Sequence, residues 1–172
     1  MANKVGEDHQ GVENANMNHL KQFQTLLDKQ EITEVLYRSL RNSDEKRYDN
    51  FAECYGKEII IDFGGVKPPQ KLAPADLAAW ARQAYALVKT QHMVFNVEVT
   101  VDGNVATSAS CGHALHERSD TGDFWHIYPR YEHEYIKTAE GWKISRIRMT
   151  PAFEEGNSNL LQESWAAENP AE

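Results

Sequence analysis

The chain has 172 residues and a formal net charge of −8, with 41% hydrophobic and 26% charged residues, the size and make-up of one globular domain. No apolar run approaches the ~18 residues of a membrane span, and an acidic chain without a basic cluster repels phosphate backbones, which argues against membrane insertion and against nucleic acid as a partner. Cys54 and Cys111 are the only cysteines, too few for a disulfide framework or a zinc site; the polar N-terminus lacks the apolar core of a secretory signal, so the expectation is a cytoplasmic protein.

Residues 1–13 are polar, carry Gly6 and Gly11, and show no periodicity, so a disordered lead is expected. Leu20, Phe23 and Leu27 recur at helical steps. The Asp28-Lys29-Gln30-Glu31 run then reads as a new start signal, a capping oxygen with an acid three residues on. A second stripe, Ile32, Val35, Leu36 and Leu40, predicts a second helix ending at Asn42-Ser43-Asp44. Tyr48, Phe51, Ala52 and Tyr55 suggest a short third helix, and the β-branched run at 59–63 a strand. Gly64, Gly65, Pro68 and Pro69 break the chain before Pro74 opens a fourth helix.

Residues 91–101 alternate. Met93, Phe95, Val97, Val99 and Val101 fall on one face, and His92, Val94, Asn96, Glu98 and Thr100 on the other. Asp102-Gly103-Asn104 is a hairpin turn. Strands follow over 105–117, 124–137 and 142–149, the first of them rich in Ala, Ser and Gly. Helices segregated on one face of an antiparallel sheet predict an α+β domain over 14–156. A curved sheet closed by helices makes a cone with a hollow suited to a hydrophobic small molecule. Residues 157–172 form a polar tail that could fold back as a lid through Leu160, Leu161 and Trp165.

Among seven histidines, His92 is singled out as a candidate base, because it opens the alternating strand directly after a helix. A plain strand-end histidine is the competing reading. Asp44 is its natural partner, one helical turn beyond Leu40; an N-cap for the next helix competes for the same carboxylate. A buried Asp that accepts from an imidazole N–H fixes the tautomer and leaves the other nitrogen as a base. His113 and His116, three apart in a strand, fall on opposite faces and cannot share a metal, as holds for His126 and His133. No metal, nucleotide or other cofactor is expected. Arg146 and Arg148 could anchor an anionic group or lie exposed. The aromatic late strands (Trp125, Tyr128, Tyr131, Tyr135, Trp142) suit a core or a subunit interface.

The stretch ITEVLYRSLRNSDEKRYDNFAECYGKEIIIDF at 32–63 resembles the opening of the SnoaL-like family in the nuclear-transport-factor-2-like superfamily. So do QHM at 91–93, VTVDGNVA at 99–106, YEHEY at 131–135 and GWKISR at 141–146. The resemblance spans about 26–148. It implies a cone-shaped α+β roll and is strongest toward the scytalone dehydratase, hexachlorocyclohexane dehydrochlorinase and bile acid 7α-dehydratase group. Those enzymes place a catalytic Asp and His where this chain has Asp44 and His92. The tyrosines that bind the substrate carbonyl in the bile acid enzyme fall here on Ser39 and Phe63.

The resemblance therefore implies a cofactor-independent lyase acting on a hydrophobic or polycyclic substrate. Two other readings on the same cone are an isomerase or cyclase, and a non-enzymatic assembly module like a ring-hydroxylating dioxygenase small subunit. Tyr37, Tyr48, Phe63, Asn96, Tyr131 and His133 are the expected substrate contacts. A homo-oligomer, trimer or dimer, is expected through the outer face of the sheet.

Overall fold

A computed structural model describes residues 4–65 and 68–168. A single helix, α1, runs from Lys4–Asp44. A 3-10 turn at Tyr48–Asn50 and the one-turn helix α2 (Phe51–Cys54) lead into β1 (Tyr55–Asp62). The short β2 (Gln70–Leu72) and α3 (Pro74–Ala84) follow, then four long strands: β3 (Val88–Asp102), β4 (Val105–Arg118), β5 (Phe124–Thr138) and β6 (Gly141–Gly156). Helix α4 (Leu160–Glu168) closes the described chain. The sheet order is β2-β1-β6-β5-β4-β3. Four neighbouring pairs are antiparallel, but β1 runs parallel to β6, so the sheet is mixed rather than wholly antiparallel. Helices cover one face, giving the α+β architecture.

Two predicted helices are one. Asp28 and Glu31, read as a helix start, lie inside α1 and spend their carboxylates on the far end of the sheet. Asp28 is buried and accepts from Trp142 Nε1 at 3.0 Å and from Lys137 Nζ at 2.6 Å. Glu31 Oε1 accepts the Trp142 backbone N–H at 2.9 Å. Burial pushes the Asp28 carboxyl up, but these donors outweigh it and hold it below its ordinary value. Upstream, α1 continues back to Lys4, through residues expected to be without order. Leu20, Phe23 and Leu27 are exposed there, whereas Ile32, Val35 and Leu36 are in the core. The stripe that packs therefore starts only after Asp28.

The second departure is in β3. Pairing with β4 is regular from Val88 to Phe95 and again from Glu98 to Asp102, with a register shift between. Asn96 sits at the shift with φ 54, a left-handed conformation that Asn tolerates better than most residues. The extra residue reverses the parity of the strand. His92 and Val94 face inward beside Ala114 and Gly112, and beyond the bulge Val99 and Val101 face inward instead. Met93 and Phe95 point outward with Glu98 and Thr100, and Phe95 is 50% exposed. The uninterrupted alternation read from the sequence is broken at that one position.

On the inner face of β4, the buried residues are Ala106, Ser108, Ser110, Gly112, Ala114 and His116. These small side chains leave room for Tyr131, His133 and Tyr135 from β5, which are buried opposite them. A Cβ at Gly112 would run into the Tyr131 ring and crowd Pro129, so the absence of a side chain there admits the tyrosine. Helix α4 lies against α3 with Leu160 fully buried.

Candidate active site

Asp44 is the last residue of α1. A carboxylate there faces the negative end of the helix dipole, which disfavours it. Four donors from β3 compensate. Oδ1 accepts from His92 Nδ1 at 2.6 Å and from the Thr90 hydroxyl at 2.9 Å. Oδ2 accepts from the His92 backbone N–H at 2.8 Å and from Gln91 Nε2 at 3.4 Å. Burial pushes the Asp44 carboxyl up, but the hydrogen bonds and charge of His92 prevail and leave it below the usual carboxylate range. The competing cap role is not used: Arg47 holds the N-cap position of the following turn, without a side-chain cap. Arg41 is exposed and makes no ion pair with Asp44 among the described residues.

An ionised carboxylate only accepts, so His92 Nδ1 carries a proton, and the neutral tautomer set by this contact has its lone pair on Nε2. The His92 side chain is 12% exposed and the Asp44 side chain 13%. His92 lines a partly open cavity of about 180 Å³ between the inner sheet face and the helices. Aromatic side chains from every side form most of its wall, among them Phe51, Trp80, Tyr85, Trp125 and Tyr131. Leu161 of α4 contributes one edge.

Of the expected substrate contacts, Phe63, Tyr131 and His133 line this cavity. The other three do not. Tyr37 is 46% exposed and lies in an open groove between α1 and β3, where α1 turns that face away from the sheet. Tyr48 is buried in the core, edge-on to Phe51 at 5.6 Å, with its hydroxyl unpartnered. Asn96 is exposed on the outer face beside Glu98 and Arg130, because the bulge carries it there. Arg146 and Arg148 also point outward. Arg146 pairs with Asp62 at 2.8 Å, and Arg148 lies 3.6 Å from Glu132, so neither reaches the cavity.

Tyr85 was not singled out from the sequence, and His116 was read there only as lying on the strand face opposite His113. His116 is 3% exposed, with its ring edge-on to His92 at 5.4 Å and stacked on Trp125 at 4.9 Å. Its Nδ1 is 3.1 Å from the Trp125 carbonyl oxygen. A carbonyl can only accept, so this nitrogen carries the proton and Nε2 is an acceptor. Burial pushes the His116 pKa down to about 4, with His92 adding to the shift. Tyr85 bridges the two imidazoles, its centroid 6.4 Å from His92 and 6.0 Å from His116. The signal for His116 was its parity with the small inward residues of β4. Burial raises the pKa of Tyr55, Tyr85 and Tyr131, so all three stay protonated and able to donate. Among the described residues no group of three or more His, Cys, Asp or Glu side chains is placed to hold a metal ion, and no helix is long and apolar enough to cross a membrane.

Comparison with known proteins identifies the family and the fold. The SnoaL-like domain family matches residues 24–148. The Kfla4162 protein of Kribbella flavida superposes with a TM-score of 0.74 at 27% identity, covering 80% of this chain and 99% of that one. A putative scytalone dehydratase from Novosphingobium aromaticivorans gives 0.69 at 13% identity, over 77% of this chain and 89% of its own. A type 2 hexachlorocyclohexane dehydrochlorinase gives 0.64 at 15% identity, over 81% and 93%. The last two likenesses are of fold. The match over residues 24–148 places the chain in the SnoaL-like domain family.

Proposed function

We propose that the protein is a lyase that removes a proton from carbon and expels a β leaving group from a small molecule held in the cavity. The observation that carries this reading is the 2.6 Å contact between His92 Nδ1 and Asp44 at the wall of an aromatic-lined cavity. In the proposed reaction, His92 Nε2 takes the proton. The C–H electron pair becomes the new double bond, and the leaving group departs with the electrons of its own bond, as halide, or as hydroxide that takes the proton back from the His92 imidazolium and leaves as water. Asp44 holds the imidazole in the required tautomer and stabilises the imidazolium that forms. The Tyr131 hydroxyl makes no hydrogen bond among the described residues and is available to donate to an oxygen on the substrate. His116 stays neutral while His92 becomes charged, so it does not compete for the proton.

Family resemblance supports the reading at a coarser level, since one fold relative is described as a dehydrochlorinase and another as a putative scytalone dehydratase. The test is a panel of cyclic β-hydroxy ketones and halogenated cyclohexanes, followed by loss of water or halide. With a substrate found, His92→Ala is expected to lower kcat by about 10²–10⁴-fold with the fold intact by circular dichroism. Asp44→Asn is expected to lose about 10²-fold or more through the wrong tautomer. Unchanged turnover in His92→Ala would remove the mechanism.

A further inference from the structure

Helix α1 has two halves with different surroundings. From Asp28 onward it packs on the sheet through Ile32, Val35 and Leu36. Every residue from 11 to 27 is exposed instead, and the family match begins only at residue 24. Yet this half carries large apolar side chains: Val12, Met17, Leu20, Phe23, Leu26 and Leu27 are between 48% and 68% exposed. Leu20, Phe23 and Leu27 follow one another at steps of three and four, the seam spacing of paired helices. Asn16 and Val12 continue the line at further steps of four. At about 3.6 residues per turn, that seam lies roughly 140° around the helix from the face that meets the sheet. It ends at Leu27, because the next positions are Gln30 and Glu34, hydrogen-bonded to each other at 2.9 Å.

Among the described residues, none of this half is buried against another element. A short helix is marginal in water without a packed apolar face, and Gly11, Asn14, Asn16, Asn18 and Thr25 are weak helix formers. A cover over the seam supplies the missing support, and three features favour a second copy of the chain. The first is charge. The chain carries a net −8, but residues 11–27 hold only Glu13 and Lys21, so two copies can meet there without strong repulsion. The outer face of the sheet, where an oligomer was expected, presents Glu98, Glu132, Glu134, Arg146 and Arg148 instead. So few cations also argue against a lipid surface, which attracts helices with a basic polar face. The second is Asn16, whose amide both donates and accepts. In two parallel helices each Asn16 satisfies the other, a known use of asparagine in a helix seam. The third is area. With roughly 100 Å² for a whole side chain of this class, the seam leaves on the order of 350 Å² of apolar surface per copy, as much as a monomer ordinarily exposes in one patch. Apolar surface makes up a little over half of an interface. Two copies therefore cover about 1,200 Å² in all, the lower edge of specific interfaces.

We propose that the protein self-associates through the N-terminal half of α1, two copies pairing in parallel along Asn16, Leu20, Phe23 and Leu27. Neither the cavity nor the dyad takes part, so this contact stands apart from the lyase reading. The experiment is sedimentation velocity of the full chain at neutral pH, from about 1 to about 300 μM. A dimer that dissociates in the micromolar range is expected. Leu20→Glu combined with Phe23→Glu is expected to raise the dissociation constant by about 100-fold or more. Both side chains are exposed in the single chain, so the near-ultraviolet circular dichroism of the domain is expected to stay the same. Asn16→Asp sets two carboxylates face to face and is expected to weaken the dimer about tenfold. Phe153→Glu, at an exposed position of β6, is expected to leave association as it is. A chain that sediments as a monomer over the whole range overturns the proposal. A dimer that survives the Leu20→Glu and Phe23→Glu pair, or that Phe153→Glu breaks, overturns it as well and puts the contact on the sheet. A monomer that co-sediments with anionic lipid vesicles makes the seam a membrane surface and overturns it equally.

Discussion

The two faces of one sheet are opposites. Strands β4, β5 and β6 turn Ala114, Ile127, Tyr131, His133 and Ile147 toward the helices, and turn Glu132, Glu134, Arg146 and Arg148 the other way. The inner face carries its polar chemistry on neutral imidazoles and phenols. The outer face carries full charges in pairs that are open to solvent. Side-chain parity along the strands separates them, so within a few ångströms the same backbone supports an aromatic-lined cavity and a charged surface. The Asp44–His92 pair is the carboxylate–imidazole contact made at the inner wall.

The sharpest way to break that contrast is to put a charge on the wrong face. Ala114 is 2% exposed and pairs with His92 across the β3–β4 ladder. Ala114→Asp is expected to cost several kcal/mol, on the order of 3 or more, since the carboxylate has no cationic partner there; a chemical denaturation midpoint measures it. A milder stress is acid. Burial lowers both His116 and His133 to about 4, below the ~6.5 of an unfolded histidine. As pH falls through ~6.5 the unfolded chain binds protons that the folded chain refuses, so stability declines until about pH 4. Each histidine accounts for on the order of 3 kcal/mol of that decline. Below that range Asp28 and Asp44, whose pKa values are depressed, add their own loss as they are protonated. Urea midpoints at neutral and acid pH, with His133→Gln as comparison, show whether the buried imidazoles are responsible: the variant is expected to have the shallower slope.

Smaller again is Gly112→Ala. The new methyl meets the Tyr131 ring, so a loss of about 1–3 kcal/mol is expected, together with weaker uptake of any ring by the cavity. At the bottom of the scale is the outer face. Glu132 is 67% exposed opposite Arg148, and Glu132→Gln is expected to move stability by no more than about 0.5 kcal/mol. A large effect there would show that the outer charges are covered in solution.

Much of this layout was readable in advance because it rests on local pattern. The turn at Asp102-Gly103-Asn104 separates β3 from β4, and Pro74 marks the start of α3. The Asp44 and His92 positions stood out because one ends a helix and the other opens a strand. What was hidden depends on distant partners. Nothing near Asp28 says that its carboxylate belongs to Trp142 and Lys137 rather than to a helix start, so one helix was read as two. Nothing near Asn96 distinguishes a bulge from regular alternation, so Asn96 and the faces of the following residues were misassigned. The parallel contact of β1 with β6 joins residues too far apart for periodicity to detect.

Asp44 receives the main-chain amide of His92 as well as its ring. The same carboxylate is thus both a rivet of the scaffold and an accessory of the base. A change that loosens the rivet also detunes the base, so substitutions that adapt this protein to new molecules have freedom in the cavity walls and almost none at the joint where helix meets strand.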